Sequence, residues 1–234
     1  MAESKGQVRN RGSRESLGGT IQKPALRGWF HAFAALAAVV VTVALLLQTL
    51  DDALRFISLL TFGLSMVELY SISAIYHIGR WRGRCRTVFR SLDHANIFVM
   101  IAGTYTPISV NVLSGWMRIG TLVLIWSLAL AGASAAVFTL RLPRWFSTAL
   151  YLGMGWVSLI SLPTLVQLLP WQPIALLFSG GVLYSIGAVI YGLKWPNPSP
   201  RFFGFHEIFH LFVIAGGVAF VVAIWVWVVP FPRA

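Results

Sequence analysis

HEIFHLFVIAGGVAFVVAIWVWVV, residues 206–229, indicates the fold more clearly than any other part of the chain. It is an apolar run of the length that an α-helix needs to cross the hydrocarbon core of a bilayer, about 20 residues. Its polar side chains, His206, Glu207 and His210, all lie at its start. Residues four apart share one face of a helix, so the two histidines lie side by side. Buried imidazoles in an apolar helix need a partner or a function, and a metal ion supplies both.

The composition of the whole chain indicates an integral membrane protein. Apolar residues make up 57% of the sequence and charged residues 11%, whereas soluble domains are about half apolar and a quarter charged. The net charge of +11 would suit a nucleic-acid-binding protein. However, Lys and Arg fall in short segments between apolar runs, where they set membrane topology, so we do not expect nucleic-acid binding. The single cysteine, Cys85, excludes an intrachain disulfide.

Seven apolar runs predict an all-α integral membrane protein with seven transmembrane helices, because each run is long enough to span a bilayer. Residues 1–27 are polar and basic, without hydrophobic periodicity, and predict a disordered tail. Residues 28–234 are expected to form the transmembrane domain. The predicted spans are residues 29–49, 54–78, 93–113, 117–138, 146–168, 173–193 and 206–229.

The distribution of Lys and Arg predicts the orientation. The tail, the segment from Gly79 to Leu92 and the segments after the fourth and sixth runs carry nearly all of these residues. Because basic residues accumulate on the cytoplasmic side, we expect a cytoplasmic N-terminus and an external C-terminus. Four polar elements then converge on the cytoplasmic ends of three helices. They are the segment from Ser73 to His77, Asp93 at the start of the third span, His206, and His210.

This convergence predicts a zinc site. Three neutral imidazoles, those of His77, His206 and His210, leave the fourth tetrahedral position of Zn²⁺ open, which is typical of a catalytic site. Ser73 lies one turn before His77, and Asp93 enters from the next helix. Either side chain can orient a ligand or a water molecule, and a carboxylate can take the proton of a water that attacks a carbonyl.

Several polar residues admit other interpretations. Asp93 can instead cap the third helix, and Ser73 can bond to its own helix. Glu207 points away from His206 and is expected to face the interface or to pair with Arg201. His31, in the first span, is expected to have an interfacial or packing role. Glu68 is deep in the second span, where a carboxylate is costly, and its sequence context names no partner.

At these residues the chain resembles the hemolysin III family, bacterial relatives of the progestin and adiponectin receptors and, more distantly, of the alkaline ceramidases. The resemblance rests on the segments 23–31, 73–77, 92–107 and 205–212. It implies zinc held by His77, His206 and His210, with Ser73 and Asp93 beside it. It also implies that Glu207 is not the base of an H-E-x-x-H metalloprotease, since receptor relatives carry an uncharged residue there.

The predicted function is a zinc-dependent hydrolase that cleaves a lipid amide or ester, with membrane lipids as partners and a bacterial inner membrane as the location. A receptor-like or membrane-homeostasis protein with structural zinc is one alternative. A cytolytic or pore-forming protein is another, but seven hydrophobic spans are typical of a resident membrane protein. A membrane-embedded zinc protease would need a carboxylate ligand from a late Asp, and no Asp follows His210. The sequence does not indicate an oligomeric state.

Overall fold

The computed structural model describes residues 26–138, 143–199 and 201–233. Within these ranges a short 3₁₀ turn (Val157–Ile160) joins α5 to α6, and a π-helical turn (Ile224–Val228) extends α8. The predicted disordered tail, apart from its last two residues, lies outside the described ranges. The α-helices are α1 (Trp29–Leu47), α2 (Ala53–Ile78), α3 (Gly83–Asn111), α4 (Gly115–Phe138), α5 (Arg144–Trp156), α6 (Leu162–Leu168), α7 (Trp171–Leu193) and α8 (Phe205–Ala223).

The described helices confirm a helical integral membrane protein. By length and composition, α1, α2, α4, α7 and α8 with its π turn can each cross a bilayer. The fifth predicted span is broken. α5 with its 3₁₀ turn and α6 are together long and apolar enough to cross a bilayer, but they are bent by 50° at the break. α3 is long enough to cross a bilayer but is less apolar than the other helices, because polar side chains such as Asn96, Thr104 and Asn111 interrupt its apolar sequence. All three are buried inside the bundle.

Consecutive helices form most of the bundle. α2 packs between α1 and α3, α3 also packs against α4, and α7 packs against α8. α8 returns to α1, and α5 contacts both α3 and α7. Small residues permit the close approaches: a Cβ atom at Gly63 would overlap Thr42 of α1, and one at Gly103 would overlap Ser65 of α2. Such small-residue contacts are typical of helices packed within a membrane.

The outer surface of the bundle is apolar. Leu36, Val40 and Val123 are 69%, 68% and 61% exposed, which is the arrangement expected where side chains contact lipid tails. Leu59, Phe62 and Ile224 form part of the buried core. Alternating helix directions bring the starts of α1, α3 and α8 together with the end of α2, and we call this the histidine end. At the opposite end, α1 and α3 end and α2 begins.

Candidate metal centre

Three histidines from two helices meet at the histidine end. His77 is in the last turn of α2, and His206 and His210 occupy successive turns at the start of α8. One ring nitrogen from each can be chosen so that all three atoms lie within 4.8 Å of one another. The Nε2 atoms of His77 and His206 are 3.0 Å apart. This spacing fits one metal ion, because Zn–N bonds are about 2.0–2.1 Å long.

Asp93 and Ser73 lie beside the three histidines, as the sequence predicts. Asp93 Oδ2 is 3.7 Å from His77 Nε2, and the Ser73 hydroxyl adjoins the Asp93 carboxylate. Ser73 is buried on α2, one turn before His77. The alternative in which Asp93 caps the third helix is wrong, because α3 already begins at Gly83. The carboxylate is therefore held by a helix interior and faces the histidines.

The segment that precedes α1 touches the site from a third direction. Gly28 has φ +89°, and a Cβ atom there would lie 2.9 Å from His77 Cβ and 3.0 Å from Ile78. A residue with a side chain would be strained at this φ and would press on a histidine of the site. Glycine therefore lets the chain run directly over the end of α2.

Glu207 holds the start of α8 in place. Its side chain is fully buried, its Oε2 accepts the Gly204 N–H at 2.8 Å, and its Oε1 accepts Arg27 Nε at 3.1 Å. The expectation that Glu207 faces the interface or pairs with Arg201 is wrong. Its partner is Arg27, the last residue of the predicted tail. A capping bond and an ion pair on one carboxylate fix the turn that carries His206.

His31, on α1, is a fourth histidine that contacts the group. Its ring stacks on that of His210, with centroids 3.8 Å apart and an interplanar angle of 14°. It is buried, which agrees with the expected packing role, yet neither of its nitrogens has a hydrogen-bond partner among the described residues. His210 Nδ1 and the Tyr184 hydroxyl are also buried and have no hydrogen-bond partner among the described residues. Unsatisfied buried polar atoms are costly, and they concentrate at functional sites.

A cavity of about 850 Å³ adjoins the histidines. The three predicted ligands, Ser73 and Asp93 line it, and it continues between α3, α5, α7 and α8. Its inner walls are mainly apolar and include Ile101, Leu177 and Val213. The volume is typical of pockets that enclose a small organic ligand, and the wall chemistry suits an acyl chain.

The comparisons with known proteins agree with these features. A family model described as "Haemolysin-III related" matches residues 19–221. The chain belongs to the haemolysin-III-related family. Among its relatives are the hemolysin-3 homolog of Bacillus subtilis (strain 168), 33% identical over 202 residues, and hemolysin-3 of Bacillus cereus, 30% identical over 202 residues. Each match covers 86% of this chain, and 92% and 89% of the respective relative.

The human monocyte to macrophage differentiation factor is 27% identical over 214 residues, with 88% of this chain and 84% of the relative covered. The resemblance found in the sequence is therefore confirmed, from bacterial members of the haemolysin-III-related family to the receptor branch. The matched region contains His77, Asp93, His206 and His210.

Sequence reasoning missed two features near the site. The first is the contact of Arg27 with Glu207. The second is a partner for Glu68: in the amide orientation that satisfies both polar atoms of Asn96, its nitrogen donates to Glu68 Oε1 at 3.3 Å and to Leu92 O at 3.2 Å. Glu68 itself is exposed on the surface of α2. Neither partner follows from helical periodicity, since each contact joins different helices or segments.

Proposed function

We propose that this member of the haemolysin-III-related family is a zinc-dependent hydrolase that cleaves an amide or ester bond of a membrane lipid. The observation that carries the proposal is the placement of a carboxylate, Asp93, beside three convergent histidines at the mouth of an apolar cavity. A purely structural zinc site has little use for such a cavity or for a neighbouring base.

His77, His206 and His210 would hold the metal. Zinc held by three imidazoles would supply Lewis acidity and would lower the pKa of a bound water molecule toward neutrality. The histidines lie at the ends of two helices, α2 and α8, and Arg27, Gly28 and Glu207 fix those ends. Ligand positions are therefore set before any metal arrives, which favours an open, catalytic geometry over a closed one.

The remaining chemistry comes from the side chains of the chain itself. Asp93 accepts the proton of the water that attacks the lipid carbonyl, and then returns it to the departing amine or alcohol. Ser73 adjoins the Asp93 carboxylate and keeps it turned toward His77. The apolar walls hold the acyl chain and exclude bulk water from the reacting bond.

The proposal includes the membrane arrangement. Five apolar helices, the broken pair α5–α6 and the long helix α3 together make seven spans. The histidine end then lies at the cytoplasmic face, because the basic segments lie at that end of the helices. The N-terminus is cytoplasmic, the C-terminus is external, and the membrane is a bacterial inner membrane, which agrees with the two Bacillus relatives.

Cytolysis is the second candidate, since two relatives carry the name hemolysin-3. The apolar outer surface of the bundle favours a resident membrane protein over a secreted toxin. Purified protein that lyses erythrocytes without detergent, and still does so as the Asp93→Asn variant, would favour cytolysis over hydrolysis. A receptor-like role with structural zinc predicts a metal site that Asp93→Asn leaves both loaded and functional.

Turnover is tested with full-length protein reconstituted in phosphatidylcholine vesicles that contain N-acyl amide or ester lipids. Mass spectrometry of released fatty acid measures the reaction. We expect release by the zinc-loaded wild type, a loss of at least about 100-fold in Asp93→Asn with zinc retained, and loss of both zinc and release in His77→Ala. Absence of cleavage of any offered lipid by the zinc-loaded wild type would contradict the proposal.

A further inference from the structure

One face of α3 changes character along the axis of the bundle. Starting at the histidine end, Arg86 and Arg90 come first, and Asp93 follows beside His77. The same face then continues as a mainly apolar wall with Ile97, Ile101, Thr104 and Ile108. All seven residues line the cavity, and their spacing of three or four places them on one stripe of the helix.

Arg86 and Arg90 have no carboxylate partner within the part of the chain that the structure describes. Among the described residues, no carboxylate lies within the 4.0 Å that defines an ion pair with Arg86 or Arg90. The carboxylates at this end are already engaged: Asp93 adjoins His77 and His94, and Glu207 binds Arg27. Both arginines are exposed, so their guanidinium groups remain available at the mouth of the cavity.

The distances along α3 fit one kind of ligand. At 1.5 Å per residue, Arg90 is about 4.5 Å and Arg86 about 10 Å from the level of Asp93 along the helix axis. A glycerophospholipid carries its phosphate a few bonds from its ester carbonyls, and its acyl chains extend away from both. The order along the stripe, cations then carboxylate and histidines then apolar wall, matches the order of groups in that lipid.

We infer that Arg86 and Arg90 form a headgroup site for the phosphate of an anionic membrane phospholipid. This inference rests on the proposed function, for which it names the class of lipid. Arginine suits the task because its planar guanidinium donates two parallel hydrogen bonds to a phosphate. The pair holds the headgroup outside the histidines and leaves the ester bonds at the level of Asp93.

Arg84 provides a matched control on the same helix. It is also exposed, but it lies two residues before Arg86 and therefore on roughly the opposite face of α3. It does not line the cavity. Removing its charge alters the net charge of this end as much as the removal of Arg86 does, without touching the proposed site.

Binding is measured with detergent-purified, full-length protein by native mass spectrometry and by the shift of the thermal midpoint. The probes are phosphatidylglycerol, diacylglycerol with the same chains, and inorganic phosphate. We expect phosphatidylglycerol to bind at least about tenfold more tightly than diacylglycerol. The double variant Arg86→Gln/Arg90→Gln should remove that preference, and Arg84→Gln should retain it. Millimolar inorganic phosphate alone should give no comparable shift.

Three results would overturn the inference. They are equal binding of the two lipids by the wild type, an equal loss in Arg84→Gln, and inorganic phosphate that binds as well as the lipid, which would indicate a site for free anions. The assay does not need turnover or metal. Preference for phosphatidylglycerol in an inactive Asp93→Asn protein would therefore support the headgroup site even if the hydrolase proposal failed. In the other direction, a wild type that holds zinc but shows no preference for phosphatidylglycerol would overturn the headgroup site and leave the metal site standing.

Discussion

The two ends of the helix bundle use buried and half-buried polar groups in different ways. At the opposite end, Arg55 donates through Nε to Asn111 Oδ1 at 3.2 Å and through its other nitrogens to the carbonyl oxygens of Val229 and Phe231. Asp52 accepts the Arg55 N–H, and its Oδ1 forms an ion pair at 2.8 Å with Arg233 Nη1, the one buried atom of this cluster without a well-oriented hydrogen bond among the described residues. This cluster ties the start of α2 to the end of α3 and to the segment after α8.

At the histidine end, polar atoms are left without partners. Both nitrogens of His31 and Nδ1 of His210 are unsatisfied among the described residues, and Arg86 and Arg90 have no carboxylate partner there. A satisfied cluster stabilises a fold, whereas an unsatisfied one reduces stability unless a ligand completes it. The comparison therefore favours a structural role for one end and supports the proposed ligand binding at the other.

Removal of Arg55 should have the largest effect on stability. Arg55→Ala leaves Asn111 Oδ1 and two carbonyl oxygens unsatisfied, and we expect a loss of about 3 kcal/mol in the free energy of unfolding. Arg118→Ala is the control, since the Arg118 side chain makes a single hydrogen bond among the described residues, from Nε to Leu113 O at 2.7 Å. Denaturation in mixed micelles measures both. Equal losses in the two variants would contradict a specific role of the Arg55 cluster.

Loss of Arg27 should weaken the metal site without unfolding the bundle. The Arg27 contact fixes Glu207 and thereby the turn that carries His206, so Arg27→Ala should raise the dissociation constant for zinc by about tenfold. Glu207→Gln retains an oxygen for the Gly204 N–H and should have a smaller effect. Competition with a chromophoric chelator measures the affinity. Arg201→Ala should leave the zinc affinity unchanged. A larger effect in Arg201→Ala than in Arg27→Ala would favour a pairing of Glu207 with Arg201 and contradict the role of Arg27.

Two tyrosines whose hydroxyls lie inside the bundle extend the comparison between satisfied and unsatisfied polar groups. The Tyr105 hydroxyl donates toward the carbonyl oxygens of Met154 and Gly155 and accepts the Ser158 N–H, whereas the Tyr184 hydroxyl is unsatisfied. Tyr105→Phe should therefore destabilise the protein by about 1 kcal/mol, and Tyr184→Phe should stabilise it by a similar amount. Thermal unfolding in detergent compares them, and a destabilised Tyr184→Phe would indicate that this hydroxyl already has a partner.

The smallest effect concerns pH at the opposite end. The backbone N–H of Arg55, together with Arg233, lowers the pKa of the Asp52 carboxyl below its ordinary range. This stabilisation is present above the unfolded-state pKa and is lost as pH falls through the lowered folded-state value. The thermal midpoint should fall by about 2 °C in that range. Asp52→Asn should remove this part of the pH dependence of the thermal midpoint. An unchanged pH profile in the variant would show that other groups cause the dependence.

Much of this architecture follows from the sequence. Apolar runs of bilayer length predict the helices, and the bias of Lys and Arg places His77, Asp93, His206 and His210 at one end before any coordinates are seen. The structure brings these four residues together. Their roles as ligands and base stay predictions, which the metal analysis and the turnover assay test.

Other features leave no periodic signal in the sequence. Arg27 and Glu207 are 180 residues apart, and their pairing depends on how α1 approaches α8. The break between α5 and α6 was missed because the apolar run from residue 146 to 168 is continuous in composition. Ser161 and Pro163 near the bend can mark such a break, but Pro is also tolerated in the first turn of a new helix.

The most direct test of the central claim is the metal content of the purified wild-type protein beside His77→Ala, His206→Ala and His210→Ala. Elemental analysis under chelator-free conditions should find about one zinc per chain in the wild type and loss of it in each variant. His94→Ala, which alters a neighbouring histidine outside the proposed ligand set, should retain the metal. A wild type without metal, or variants that retain it, would contradict a three-histidine metal centre at this end of the bundle.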